Sequence, residues 1–141
     1  MSGRKTFVAC YTFAHAYIPM DLELNGWTWP PRLTLPEWGR LGWAWLHTLA
    51  ITYPRRPTGY DQRVVGYRIW NFVSHLPCWE CRQHATQFVL SYPPDTRSTH
   101  TLQRWAWNFH NAVNLRLGKP LVSFSEYQRI YARAIQAAGA Y

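Results

Sequence analysis

Thr34-Leu35-Pro36-Glu37-Trp38-Gly39-Arg40-Leu41-Gly42-Trp43-Ala44-Trp45-Leu46-His47-Thr48-Leu49-Ala50 is a helix whose start is written into the chain. Thr34 offers a side-chain oxygen to the free amides of a first turn, and Glu37 completes a capping box. Pro36 suits the same turn, where a missing N–H costs nothing. Trp38, Leu41, Trp45 and Leu49 recur at helical spacing and predict the buried face, and the helix ends before Pro54.

The pattern repeats along the chain. Thr58-Gly59-Tyr60-Asp61 opens a second helix with Val64, Val65, Ile69, Phe72 and Val73 inward, closed by Pro77. A third begins near Cys78, carries Ala85, Phe88 and Val89, and stops before Pro93-Pro94. A fourth runs from about Thr101 with Leu102, Trp105, Phe109 and Val113 in line, and Gly118 is its natural C-cap. Ser123-Phe124-Ser125-Glu126 is another capping box, starting a helix that ends near Gly139. Strand-like alternation is scarce. The fold class is all-α, a four-helix bundle with an additional short fifth helix.

Composition agrees with one domain. The chain has 141 residues, 48% of them hydrophobic and nine of them tryptophan, which excludes a disordered tail. No apolar run is long enough to span a bilayer. The net charge of +8 favours an anionic partner, but the arginines are scattered and only Arg55-Arg56 are adjacent. Dispersed surface charge is therefore the reading, and no nucleic-acid groove is expected. Residues 1–34 differ from the rest: Arg4-Lys5, an apolar stretch from Phe7 to Phe13, and Ala14-His15-Ala16 imitate a secretory signal. That stretch is short and broken by polar residues, so it reads as an irregular extension preceding a helical domain over 35–141.

Cys78-Trp79-Glu80-Cys81 carries the chemistry. Two intervening residues bring both sulfurs to the first turn of a helix, where the amide dipoles favour a thiolate. A redox dithiol and half a zinc site both fit this spacing. A second signal lies on the helices. Gly39, Trp43 and His47 follow one another at i, i+4, and Trp107, His110 and Asn114 share a side of the fourth helix. Such a face suits a flat, hydrogen-bonding aromatic ligand, and Lys119 just beyond the helix can meet a phosphate. A zinc site from Cys78, Cys81, His47 and His110 has the right ligand types but leaves Trp43 and Asn114 without a role. No metal is expected.

Trp38-Gly39-Arg40, Trp43, Leu46-His47-Thr48, Tyr53-Pro54, Arg56-Pro57-Thr58, Pro77-Cys78-Trp79-Glu80-Cys81, His110-Asn111-Ala112-Val113-Asn114 and Leu117-Gly118-Lys119-Pro120 together resemble the Erv/ALR family of FAD-linked sulfhydryl oxidases, in order and spacing, over residues 36 to 135. Ser125-Glu126-Tyr127 with Tyr131 is similar to the short forms of large DNA viruses. The resemblance implies FAD held within the bundle, a homodimer through the first two helices, and oxidation of a dithiol client or thiol shuttle protein with dioxygen as acceptor. It implies Cys78 and Cys81 as the catalytic pair, with Cys78, read as the more reachable sulfur, attacked by the client. It implies FAD contacts from Gly39, Arg40, Trp43, His47, Tyr53, His110, Asn111, Asn114, Lys119 and Tyr131, with Tyr127 as an alternative to Tyr131. The host cytoplasm or the virion is the implied place of action, with a mitochondrial or secretory lumen needing an address in residues 1–34. Many members carry a separate shuttle CxxC, and others a disulfide stapling the C-terminal segment. With only Cys10 besides the active pair, this chain can form neither alone.

Overall fold

The computed structural model describes residues 34–139. The expected extension, apart from Thr34, and the signal-like order and Cys10 within it lie outside these residues. Six helices follow in order: α1 (Leu35–Ile51), α2 (Gly59–Ser74), α3 (Trp79–Ser91), α4 (Thr99–Arg116), α5 (Phe124–Ile130) and α6 (Ala132–Gly139). No strand occurs among the described residues. α1 packs along α4, α2 against α3, and α6 returns to α1.

The starts are held as the caps foretell. The Thr34 N–H and hydroxyl donate to the Glu37 carboxylate at 2.7 and 2.6 Å, and Thr58 does the same to Asp61, at 2.7 Å in both bonds. α4 begins two residues earlier than expected because its cap is Ser98, whose Oγ accepts the Thr101 N–H at 3.1 Å. Gly118 takes φ +66°, the left-handed turn that ends α4.

The core is a continuous cluster of Leu46, Ala50, Val65, Ile69, Val73, Ala85, Val89, Leu102, Trp105, Ala106 and Phe109. Each large aliphatic member stabilises the fold by roughly 1.5–3 kcal/mol. α2, α3 and α4 bury the faces that their periodicity predicts. α1 does so only in part. Its inward residues are Leu46, His47, Ala50 and Ile51, while Leu41 is 58% and Trp45 41% exposed. The helix is apolar nearly all round, so spacing alone cannot choose its face. Trp38 and Trp45 instead flank Phe72 of α2, with ring centroids 6.0 and 4.7 Å away. Gly42 permits that closeness, since a Cβ there would lie 3.1 Å from the Trp38 ring and 3.3 Å from Phe72.

The C-terminal helix predicted as one piece is two, broken at Tyr131. No glycine or proline marks the break, so the sequence does not signal it. Hydrogen bonds sew the remaining connections: Tyr53 donates to the Thr96 carbonyl at 2.9 Å, Thr99 N–H to that of Pro54 at 3.0 Å, and Trp105 Nε1–H to that of Tyr92 at 2.8 Å. The end of α1 and the α3–α4 loop are thereby fixed to the start of α4.

Candidate functional site

Trp43 and His47 on α1 face His110 on α4, and the three rings form the centre of the site. Trp43 lies flat on His110, centroids 3.9 Å apart and planes within 7°. His47 Nε2 and His110 Nδ1 are 3.0 Å apart, so a single proton serves both nitrogens. Burial, and then the charge of its partner histidine, lowers the His47 pKa to about 3. Burial and then Lys119 lower that of His110 to about 4. His47 is 1% exposed, yet its Nδ1 is buried with no hydrogen-bond partner. Whichever ring carries the shared proton, that atom is a polar group facing nothing in the protein.

The other predicted residues divide into two groups. Tyr127 and Tyr131 both pack on His47, at 5.2 and 4.9 Å between centroids, so the two candidates for one role are neighbours. Asn114 is buried one turn beyond His110, and its carbonyl accepts the Lys119 N–H at 2.8 Å, which ties Lys119 to the end of α4. Gly39 shares the Trp43 face of α1, and a Cβ there would meet nothing within 4 Å. Arg40 is exposed beside it. Two residues have their polar groups engaged elsewhere. Tyr53 is buried at the far end of α1 with its hydroxyl on Thr96. Asn111 exchanges two hydrogen bonds with the Val122 backbone, at 2.7 and 3.0 Å.

Trp107 also departs from expectation. Its indole N–H donates to the Val122 carbonyl at 2.7 Å and its ring meets Phe124 edge-on, so it leaves the His110 face. Sequence spacing puts residues on one side of a helix but does not say which neighbour draws a long side chain across. Arg116, in the last turn of α4, was equally unmarked, and its charge acts on Cys81.

Cys78 is the N-cap of α3, and its sulfur accepts the Cys81 N–H at 3.3 Å. Both are free thiols. The premise that Cys78 is the more reachable sulfur is reversed: it is 3% exposed, whereas Cys81 is partly open. Trp79 between them is 56% exposed. The expected acidification is reversed at Cys81 as well. Burial, then its hydrogen bond and proximity to Cys78, push the thiol well above its ordinary range, with Arg116 pulling the other way. Desolvation outweighs the helix dipole there.

Among the described residues no three His, Cys, Asp or Glu side chains gather where they could hold a metal ion, so Cys78 and Cys81 do not meet His47 and His110 in such a group. What remains is an aromatic, neutral, partly open face with an unpartnered nitrogen, an open glycine and a lysine at its rim. That fits a flat heterocycle carrying phosphates.

Comparisons with known proteins agree. An FAD-linked sulfhydryl oxidase of African swine fever virus is 37% identical over 99 residues, covering 70% of this chain and 83% of that protein. The mitochondrial FAD-linked sulfhydryl oxidase erv1 of Schizosaccharomyces pombe is 37% identical over 94 residues, 64% of this chain and 52% of the relative. A crystal structure of the FAD binding domain of Erv1 from Saccharomyces cerevisiae superposes with a TM-score of 0.69 at 25% identity, covering 72% of this chain and 97% of that one. The family model for Erv1 / Alr matches residues 40–132, from the turn that precedes Trp43 to just past Tyr131, and the chain belongs to the Erv1 / Alr family.

Proposed function

We propose that the chain is an FAD-linked sulfhydryl oxidase, forming disulfides in a dithiol client or thiol shuttle protein and passing the electrons to dioxygen. The carrying observation is the placement of Cys81. It sits in the first turn of α3 within electrostatic reach of Arg116 on α4, the helix that also bears His110 and Asn114. Relatives named FAD-linked sulfhydryl oxidases support the same reading.

Trp43, His47 and His110 would hold the flat rings of FAD, Asn114 the adenine edge, and Lys119 with Arg40 the phosphates. Gly39 leaves room beside Trp43, and Tyr131 closes over His47. Tyr53 and Asn111 support this face from behind through Thr96 and Val122. When bound, FAD supplies the two-electron acceptor that returns the reduced cysteine pair to its disulfide, with dioxygen reduced to hydrogen peroxide.

The chain's own part is thiol exchange. A client thiolate bonds to Cys78 Sγ and breaks the Cys78–Cys81 bond, releasing Cys81 as a thiolate. The second client thiol then displaces Cys78, leaving an oxidised client and a reduced pair. Cys78 is assigned as the client-facing sulfur because Cys81 is the one that feels the Arg116 charge of α4. Its burial means that docking must uncover it, and the exposed Trp79 ring is the surface on which a client strand can rest. Arg116 favours the departing Cys81 thiolate against the cost of burial.

A homodimer is proposed through α1 and α2, whose outer sides carry Leu41, Trp45 and Trp70 in the open. No helix among the described residues is long and apolar enough to cross a membrane. Relatives in African swine fever virus and mimivirus support the virion or host cytoplasm as the place of action, and the fission-yeast relative supports a mitochondrial one. The test is the visible spectrum of the purified protein. A flavin band bleached by anaerobic dithiothreitol and restored by air is expected, and a colourless protein that ignores added FAD overturns the proposal.

A further inference from the structure

The connection between α4 and α5, residues 117–123, is tied down from one side by an unusual concentration of contacts. The Asn111 amide donates to the Val122 carbonyl at 2.7 Å and accepts the Val122 N–H at 3.0 Å. Trp107 Nε1–H donates to the same carbonyl at 2.7 Å. One residue, Val122, thus has both backbone groups satisfied by two side chains one turn apart on α4. The next turn is gripped by rings. Trp107 meets Phe124 edge-on at 5.4 Å, and the Arg104 guanidinium carbon lies 4.4 Å over the same ring.

This grip leads into the site by direct packing. Phe124 stacks on Tyr127 at 5.4 Å, and Tyr127 lies 5.2 Å from His47 and 5.1 Å from Tyr131. Lys119 stands at the other end of the same connection, its N–H on the Asn114 carbonyl. Trp107, Asn111 and Phe124 thus fix the middle of the connection, while the Asn114 carbonyl holds Lys119 and a 3.4 Å bond from the Tyr127 hydroxyl to Gln103 adds to the hold on α5. No covalent tie is available for the task, since the only cysteines are Cys10, Cys78 and Cys81, and none lies on α4, α5 or the segment between them.

We infer that Trp107, Asn111 and Phe124 are positioning residues forming a thiol-free staple between α4 and α5, which holds Lys119, Tyr127 and Tyr131 against His47 and His110 and makes cofactor retention independent of the redox state of the chain. The inference rests on the proposed FAD site. Its consequence is specific to a thiol oxidase, because the part that keeps the flavin cannot be reduced by the dithiols that the enzyme processes.

The test uses the full chain and reads oxidised FAD affinity together with amide hydrogen exchange of the cofactor-free protein. Asn111→Ala and Trp107→Phe each remove donors to Val122 while the second keeps a ring against Phe124. Each is expected to weaken FAD binding roughly 5- to 30-fold, the range for one to two hydrogen bonds lost. Exchange should accelerate over residues 118–131 and stay unchanged in α2 and α3. Asn111→Asp accepts from Val122 N–H but cannot donate back, so it should not rescue. A chain with Cys10, Cys78 and Cys81 all changed to Ser should bind FAD within about 2-fold of the unaltered protein. Loss of FAD by that thiol-free chain, full FAD retention by both staple variants, or unchanged exchange at 118–131 would each overturn the inference. If the unaltered chain takes up no FAD, the proposed function fails, and the exchange measurement alone decides whether the staple holds the loop.

Discussion

Trp43 and His110 meet face to face across the α1–α4 interface, with planes only 7° apart. The contact joins a core ring to a site ring, since Trp43 also meets Phe109 edge-on at 5.4 Å. Removing the indole therefore damages packing and cofactor face together. Trp43→Ala should cost about 3 kcal/mol, the low end for a large aromatic because Trp43 is only half-buried, and should abolish FAD retention. Trp43→Phe keeps an aromatic plane and should lose about 1 kcal/mol with partial retention. Thermal melts with flavin quantitation would check both, and full FAD retention by Trp43→Ala would remove the stack from the site.

The His47–His110 pair should make the protein acid-sensitive. Both folded pKa values lie below the ordinary 6.5, at about 3 and about 4. Below pH 6.5 an unfolded chain binds a proton on each imidazole that the folded chain refuses, so stability falls as pH falls. The slope is at most about 1.4 kcal/mol per pH unit for His47, and smaller for His110, whose half-buried ring water screens. It lessens as pH nears 4 and then 3, where the folded rings protonate too. Urea unfolding at pH 7 and pH 5 would measure it, and a stability unchanged over that interval would mean that the pair is not buried and neutral. His47→Gln should flatten the dependence.

Much of this was legible in the sequence, for identifiable reasons. Caps at Thr34, Thr58 and Ser123 are local chemistry and appear where expected. The i, i+4 spacing of Trp43 and His47 brought them onto one side because helix geometry is rigid. What failed was non-local. The face of α1 was assigned only in part: Trp38 and Leu49 do pack on the core, but Leu41, Trp45 and Leu46 are all apolar and only the position of α4 selects among them. The break at Tyr131 has no local breaker. The reversal of Cys78 and Cys81 exposure depends on how α3 sits against its neighbours, which no spacing encodes.

In the proposed mechanism Cys78 meets the client and Cys81, which feels the Arg116 charge, meets the flavin. Cys81→Ser should abolish turnover and leave FAD bound, while Cys78→Ser should block electron transfer from dithiothreitol. Because Cys78 is nearly enclosed, iodoacetamide should modify it more slowly than Cys81 in the reduced, cofactor-free protein, as mass spectrometry of the two sites would show. Retained dithiothreitol oxidation by Cys78→Ser would hand the client-facing role to Cys81.

Leu41 and Trp45 stand 58% and 41% exposed on the side of α1 away from α4, and Trp70 on α2 is 40% exposed. Trp45 is anchored there by its stack on Phe72, so the surface is an ordered plate and not a set of loose side chains. Leaving such a plate in water forgoes roughly 25 cal/mol for each Å² of apolar area that a partner would cover. A second copy offers the same plate about a twofold axis, the arrangement that makes one surface its own complement. Introducing charge at its middle should then oppose assembly without touching the core. Leu41→Asp should convert a dimer to a monomer in analytical ultracentrifugation, with helical content and FAD binding retained. An unaltered chain that sediments as a monomer at tens of micromolar would refute the dimer outright. A Leu41→Asp variant that remains dimeric would move the interface to another face.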